Sequence, residues 1–156
     1  MSSSHRLDAL DRRILRALQE DGRMSNLALA RAVGLTPTPC QERVRRLERD
    51  GFITGYAARL DPTRLDLGLT VFVQVTLDRT TTDVFGSFAT SIQSFASITE
   101  CHMVAGGFDY LLKIRCRDMA DYRRILGEEL GSIAGIAQTH TYAVMEEIKT
   151  ETALPV

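Results

Sequence analysis

Four arginines, Arg43, Arg45, Arg46 and Arg49, crowd into one short stretch directly behind Thr36, Thr38, Pro39 and Gln41. The chemistry open to such a set is recognition of a polyanion. Guanidinium groups neutralise phosphates, a glutamine amide bonds the adenine edge, and arginine reaches guanine or phosphate. A second stretch, VAGGFDY at 104–110, sets a carboxylate, two glycine amides and apolar side chains close together. The Asp109 carboxylate would meet a cation, the amides of Gly106 and Gly107 an anion, and Val104, Ala105, Phe108 and Tyr110 an apolar group. Each set also has a plainer explanation. Any surface helix carries arginines, and Asp109 with its glycines would serve as an ordinary turn.

Other reactive residue types form no constellation. Cys40, Cys101 and Cys116 are odd in number and lack the paired spacing of a zinc site or disulfide framework, so they read as reduced, partly buried cytosolic thiols. His102 follows Cys101, but neighbours on a strand point to opposite faces and do not chelate together. No nucleophile stands with a base, no acids are paired, and Gly106-Gly107 is too short to cradle a phosphate. The expectation is a protein that is not an enzyme, with no cofactor or metal.

The arginine stretch needs a rigid carrier, and the flanking sequence supplies one. Leu7, Leu10, Ile14, Leu15 and Leu18 follow one helical stripe, with Asp8 and Asp11 where the helix dipole favours acids. Asp21-Gly22 supplies a stop. Ser25 is a good N-cap for a second helix burying Leu27, Ala30 and Val33, which Gly34 ends. Leu35 then plugs the core, and Thr36 or Thr38 caps a third helix. Pro37 would take its first position under one choice; under the other it would be Pro39, with Gln41 in a box-like pair. Cys40, Val44 and Leu47 face inward. Arg45, Arg46 and Arg49 project away, while Arg43, between Cys40 and Val44, suits partial burial or a bridge to Glu42 or Glu48. This is a helix-turn-helix whose second helix enters the DNA major groove, with residues 1–6 disordered ahead of it.

Charge is divided in the same way. Residues 1–51 hold ten Arg against seven Asp or Glu, a net +3, and the remainder is −4, within an overall −1. Neither a signal core nor a run of about 18 apolar residues is present, so a cytoplasmic protein without a membrane span is expected.

Beyond an extended hinge at 52–66 with a turn at Asp61-Pro62, the pattern changes. Leu69 to Leu77 alternates as a strand, Asp83 to Ser97 is helical with Phe85, Phe88, Ile92 and Phe95 on one stripe, and Ile98 to Val104 and Tyr110 to Arg117 flank a tight hairpin needing positive φ. Asp118 caps a helix presenting Met119, Tyr122, Leu126, Leu130 and Ile133, and Ile136 to Ile148 alternates as a last strand. Met103 and Met119 are core residues by default. The fold class is α+β: a winged-helix-like helix-turn-helix at 1–51, then a ferredoxin-like βαββαβ domain at 67–156. Phe72, Leu111, Tyr142 and Val144 would lie on the sheet face away from the helices, which predicts packing against a second subunit.

Three runs carry a resemblance: VGLTPTPCQERVRRLERDGFITGY at 33–56, ITECHMVAGGFDYLLK at 98–113 and TYAVMEEIK at 141–149. In these the chain resembles the Lrp/AsnC, or feast-famine, family of bacterial transcriptional regulators, over almost its whole length. The resemblance implies a domain of the type called RAM, homodimers assembling into octamers or similar rings, and an amino acid as effector, leucine first among candidates. It strengthens the reading of the helix pair as a DNA binder, for which the candidate contacts are Ser25, Thr36, Thr38, Pro39, Gln41, Arg43, Arg45, Arg46 and Arg49. It places the effector between subunits, near Met103 to Tyr110, Met119, Thr139, Tyr142 and Val144. The alternative is an amino-acid-binding module acting on a metabolic enzyme, with a vestigial helix-turn-helix.

Overall fold

The computed structural model describes residues 6–156, and the expectation of disorder at 1–6 falls almost wholly outside them. The described residues form two compact units, residues 6–59 with 149–156, and residues 60–148. No helix among the described residues is long and apolar enough to cross a membrane.

The first unit holds three helices, α1 (Ala9–Glu20), α2 (Asn26–Val33) and α3 (Pro37–Arg49). Asp8 and Asp11 form a reciprocal capping box at the start of α1, each carboxylate accepting the other's backbone N–H. Ser25 caps α2 through the Ala28 amide, and Gly34 closes it at φ +74°, the left-handed setting glycine adopts without cost. Ile14, Leu29, Ala30, Val33, Cys40 and Leu47 make its core. The choice at α3 falls on Thr36 as N-cap with Pro37 first in the helix, and no side-chain cap bond forms.

Three details of this unit differ from expectation. Leu27, expected to be buried, is 50% exposed, and Leu29 takes its place in the core beside Ala30 and Val33. Gly22 does not have positive φ; Asp21 ends α1 in an extended conformation instead, and a Cβ on Gly22 would meet the Tyr56 ring at 3.4 Å, an ordinary contact distance. Residues 149–156, expected with the second domain, group with the first unit. The Gln19 amide substitutes for a neighbouring strand, donating to the Leu154 carbonyl at 3.1 Å and accepting its N–H at 2.6 Å, while Arg16 Nε donates to the Val156 carbonyl and Val156 packs on the core.

The second unit is a four-stranded antiparallel sheet in the order β2-β3-β1-β4, built from β1 (Leu69–Leu77), β2 (Ile98–Met103), β3 (Tyr110–Cys116) and β4 (Ile136–Ala143). Helices α4 (Thr82–Ile92) and α5 (Met119–Glu128) cover one face. Val71, Val73, Val75, Leu112 and Ile114, all fully buried, meet Phe88, Ile92, Tyr122 and Ile125 from that layer. The Phe88 and Tyr110 rings lie 4.4 Å apart at their centroids. α4 stops at Ile92 rather than Ser97, and β4 at Ala143 rather than Ile148. Met145 and Ile148 beyond it are exposed.

The hairpin between β2 and β3 also departs from expectation. Neither Gly106 nor Gly107 has positive φ, and a Cβ on either would meet nothing within 4 Å. The reversal is spread over residues 104–109, longer than a two-residue turn, so no left-handed residue is needed. Asp109 locks it: its carbonyl accepts from Val104, its N–H donates to Val75, and its Oδ2 accepts the Leu77 N–H at 2.7 Å.

Candidate nucleic-acid interface and effector site

The exposed face of α3 carries Thr38, Gln41, Glu42, Arg45 and Arg49, with Thr36, Pro37 and Pro39 exposed around its first turn. Pro37 and Pro39 have no N–H, and the Cys40 amide bonds the Thr36 carbonyl. Thr38 therefore supplies the first turn's remaining amide, beside the uncommitted Thr36 hydroxyl. Arg45 makes no ion pair among the described residues, and Arg49 pairs only with the adjacent Asp50 at 3.2 Å. Such an end offers hydroxyls, one amide, a side-chain amide and a cation to a groove, with proline surface for thymine methyls.

Arg43 and Arg46 are placed differently. Both turn to the start of α1, where Arg43 Nη1 meets Asp8 at 2.6 Å and Asp11 at 2.8 Å, and Arg46 Nη2 meets Asp11 at 2.5 Å. The acid partner expected for Arg43 is thus neither Glu42 nor Glu48. The Asp11 amide, followed by the Arg43 guanidinium, holds the Asp8 carboxyl below the usual carboxylate range. A D-x-x-D pair opening a helix was the available signal; as acids favoured by a dipole, the two gave no hint of their partners on α3. Glu48 instead accepts from the Tyr56 hydroxyl at 3.0 Å, fastening residue 56 to the end of α3, and the burial that accompanies this raises the Tyr56 phenol. Asn26 Nδ2 donates to the Pro37 carbonyl at 3.0 Å, tying α2 to the first turn of α3, while Ser25 is exposed but engaged as a cap.

In the second unit the structure divides the proposed effector residues into two groups. Met103, Tyr110, Val75 and Thr139 form one row across the sheet at its hairpin end. Met119 follows the far end of β3, about 20 Å along the strand from Tyr110 at the usual rise per residue. Tyr142 pairs with Phe72 on the face away from the helices, and the Val144 N–H reaches Thr70. One protomer therefore does not gather all of them around a single point. Met103 and Met119, expected in the core, are 60 % and 48 % exposed, because one ends an edge strand and the other begins a helix. A further cavity of about 500 Å³, lined by Leu60, Leu65, Leu67, Ile125 and Arg124, contains none of the proposed effector residues.

The sheet face away from the helices carries Phe72, Gln74, Leu111, Lys113 and Tyr142. Tyr142 donates to Gln74 at 3.2 Å, and Glu100 binds Lys113 at 2.9 Å and His102 at 3.2 Å. No helix or strand of the second unit covers it.

A DNA-reading helix pair joined to a ferredoxin-like unit with a glycine hairpin defines a class of regulator, and two family profiles match accordingly. Residues 7–48 match the AsnC-type helix-turn-helix domain, and residues 70–154 the Lrp/AsnC ligand binding domain. The chain belongs to the Lrp/AsnC family. It is 56% identical over 148 residues to the leucine-responsive regulatory protein of Escherichia coli (strain K12), covering 95% of this chain and 90% of that one. A transcriptional regulator from Neisseria meningitidis, solved as a complex with L-Met, superposes with a TM-score of 0.92 at 36% identity, covering 96% of this chain and 97% of that one. The structure of Escherichia coli AsnC gives 0.86 at 26% identity, over 95% and 98% of the two chains. The first two of these relatives are named as regulators, not enzymes.

Proposed function

We propose that this chain is a sequence-specific, cytoplasmic DNA-binding transcriptional regulator of amino-acid metabolism, governed by a free amino acid. The observation that carries the reading is the face of α3. Thr38, Gln41 and Arg45 stand exposed at the end of a braced helix, with the hydroxyl, amide and guanidinium groups that base edges and phosphates require. Ser25, Thr36, Pro39 and Arg49 border this face.

The effector is an amino acid, with leucine and methionine the first to test, after the named relatives. Its site is built on the hairpin. Gly106 and Gly107 are required neither by backbone angle nor by crowding, so a turn alone does not account for them. Open amides there suit a carboxylate, the second oxygen of Asp109 suits an ammonium group, and exposed Met103 offers apolar contact. Met119, Tyr142 and Val144 complete such a site only from another subunit, which fits a homodimer formed through the face of Phe72, Leu111 and Tyr142, and octamers or similar rings beyond it.

A mobility-shift assay on genomic fragments across a salt series tests the DNA half, because phosphate contacts release counterions and salt must weaken binding. A thermal-shift screen of the twenty amino acids tests the other half, since a ligand specific to the native state raises stability. A protein indifferent to every fragment and every amino acid would refute the reading.

A further inference from the structure

Asp11 lies on α1, away from the exposed face of α3, and is 2 % exposed. Its Oδ1 accepts both Arg43 Nη1 and Arg46 Nη2, and its Oδ2 accepts the Asp8 N–H at 3.2 Å. A carboxylate is tolerated at such depth only when its charge is matched and its lone pairs are filled. Both conditions are met here, and α3 supplies the charge. The Arg43 and Arg46 side chains are 25% and 29% exposed, against 72% for Arg49.

Guanidinium–carboxylate contacts are directional. Two of them, from residues three apart on α3 to one oxygen on α1, fix the rotation of α3 about its own axis as well as its height. That rotation decides whether Thr38, Gln41 and Arg45 point toward a groove. We propose that Asp11 is a positioning residue for DNA recognition: through Arg43 and Arg46 it sets the rotation of α3, and those two arginines serve as internal braces instead of phosphate contacts. The proposal rests on the DNA-binding reading above.

The salt dependence of DNA affinity separates a brace from a phosphate contact. Wild type, Arg43→Met, Arg46→Met, Arg45→Met and Asp11→Asn are titrated by fluorescence anisotropy against two labelled duplexes. One is selected from genomic DNA by the wild-type protein, and the other is of mixed sequence. Methionine keeps the aliphatic stem, so the arginine variants retain their packing. On the mixed duplex, Arg43→Met and Arg46→Met keep the wild-type slope of log affinity against log salt, whereas Arg45→Met lowers it by about 0.9. On the selected duplex, Arg46→Met and Asp11→Asn lose about tenfold or more of their preference over the mixed one. Circular dichroism melts identify a variant that has unfolded; if Asp11→Asn does, the two arginine slopes still decide the matter. A slope loss for Arg43→Met or Arg46→Met equal to that of Arg45→Met, or undiminished preference in folded Arg46→Met, overturns the positioning role alone. Failure of the wild type to bind either duplex at any salt overturns the DNA-binding reading itself.

Discussion

Arg45 and Asp109 represent the two chemistries proposed for the chain, and each occupies a position that makes its removal informative. Arg45 is exposed and unpaired among the described residues, so Arg45→Ala should weaken DNA binding while leaving the subunit assembly unchanged by size-exclusion chromatography. A dissociated or unfolded variant would show that its side chain supports the fold. Asp109 has a double assignment, because one carboxylate oxygen fastens the hairpin to Leu77. Alanine would therefore confound two roles. Asparagine keeps an acceptor for the Leu77 amide and loses only the charge, so Asp109→Asn should abolish amino-acid binding in a calorimetric titration with little change in melting temperature. Unaltered heat of binding would remove Asp109 from the effector site.

At the scale of the element, much of the architecture was legible in the sequence, for a physical reason. Periods of 3.6 and 2 are written by burial, so Ile14, Val33 and Leu47, or Val71, Val73 and Val75, mark their helices and strand without further information. Gly34 was equally legible. Its φ of +74° predicts that Gly34→Ala costs about 1–2 kcal/mol, measurable by urea denaturation. Asp118 accepts from the Asp121 amide at 2.8 Å, so Asp118→Ala should cost about 1 kcal/mol. What escaped was long-range pairing. Nothing in the local pattern announces that Asp11 meets Arg43 and Arg46, that Gln19 binds the backbone of Leu154, or that Tyr56 holds Glu48. Alternation puts Tyr142 and Thr139 on opposite faces, but only the register against β1 reveals which of them shares the face of the hairpin row.

At the scale of the whole molecule, ionisation bounds the pH range of the fold. Burial raises the phenols of Tyr110 and Tyr122 above the ordinary value of 10.0, so the stability they contribute is complete below pH 10 and is lost as pH rises further. The carboxyls of Asp8, Glu100 and Glu147 lie below their ordinary values, and Asp121, accepting from the Arg117 amide, Arg117 and Arg124, is lowered to about 2. Their stabilisation is present above the ordinary values of 3.8 to 4.5 and disappears as pH falls through the lowered ones. Melting temperature against pH should therefore fall on both sides, below about 4 and above about 10. The uncovered sheet face adds a prediction on assembly: Phe72→Asp with Tyr142→Asp should shift sedimentation toward monomer and weaken DNA binding, since paired helices read two half-sites together. An amino acid completing its site between subunits shifts assembly only by its differential affinity for the states.

The central claim is that α3 reads DNA under the control of an amino acid bound to the second unit. It is tested most directly by anisotropy titration of the whole protein on a selected genomic duplex, across salt concentrations, with and without the amino acid that gives the largest thermal shift. The expected result is an affinity that falls linearly with log salt and moves on addition of that amino acid, with Asp109→Asn keeping the first behaviour and losing the second. Binding insensitive to salt, or a wild-type isotherm unmoved by an amino acid that demonstrably binds, would contradict it.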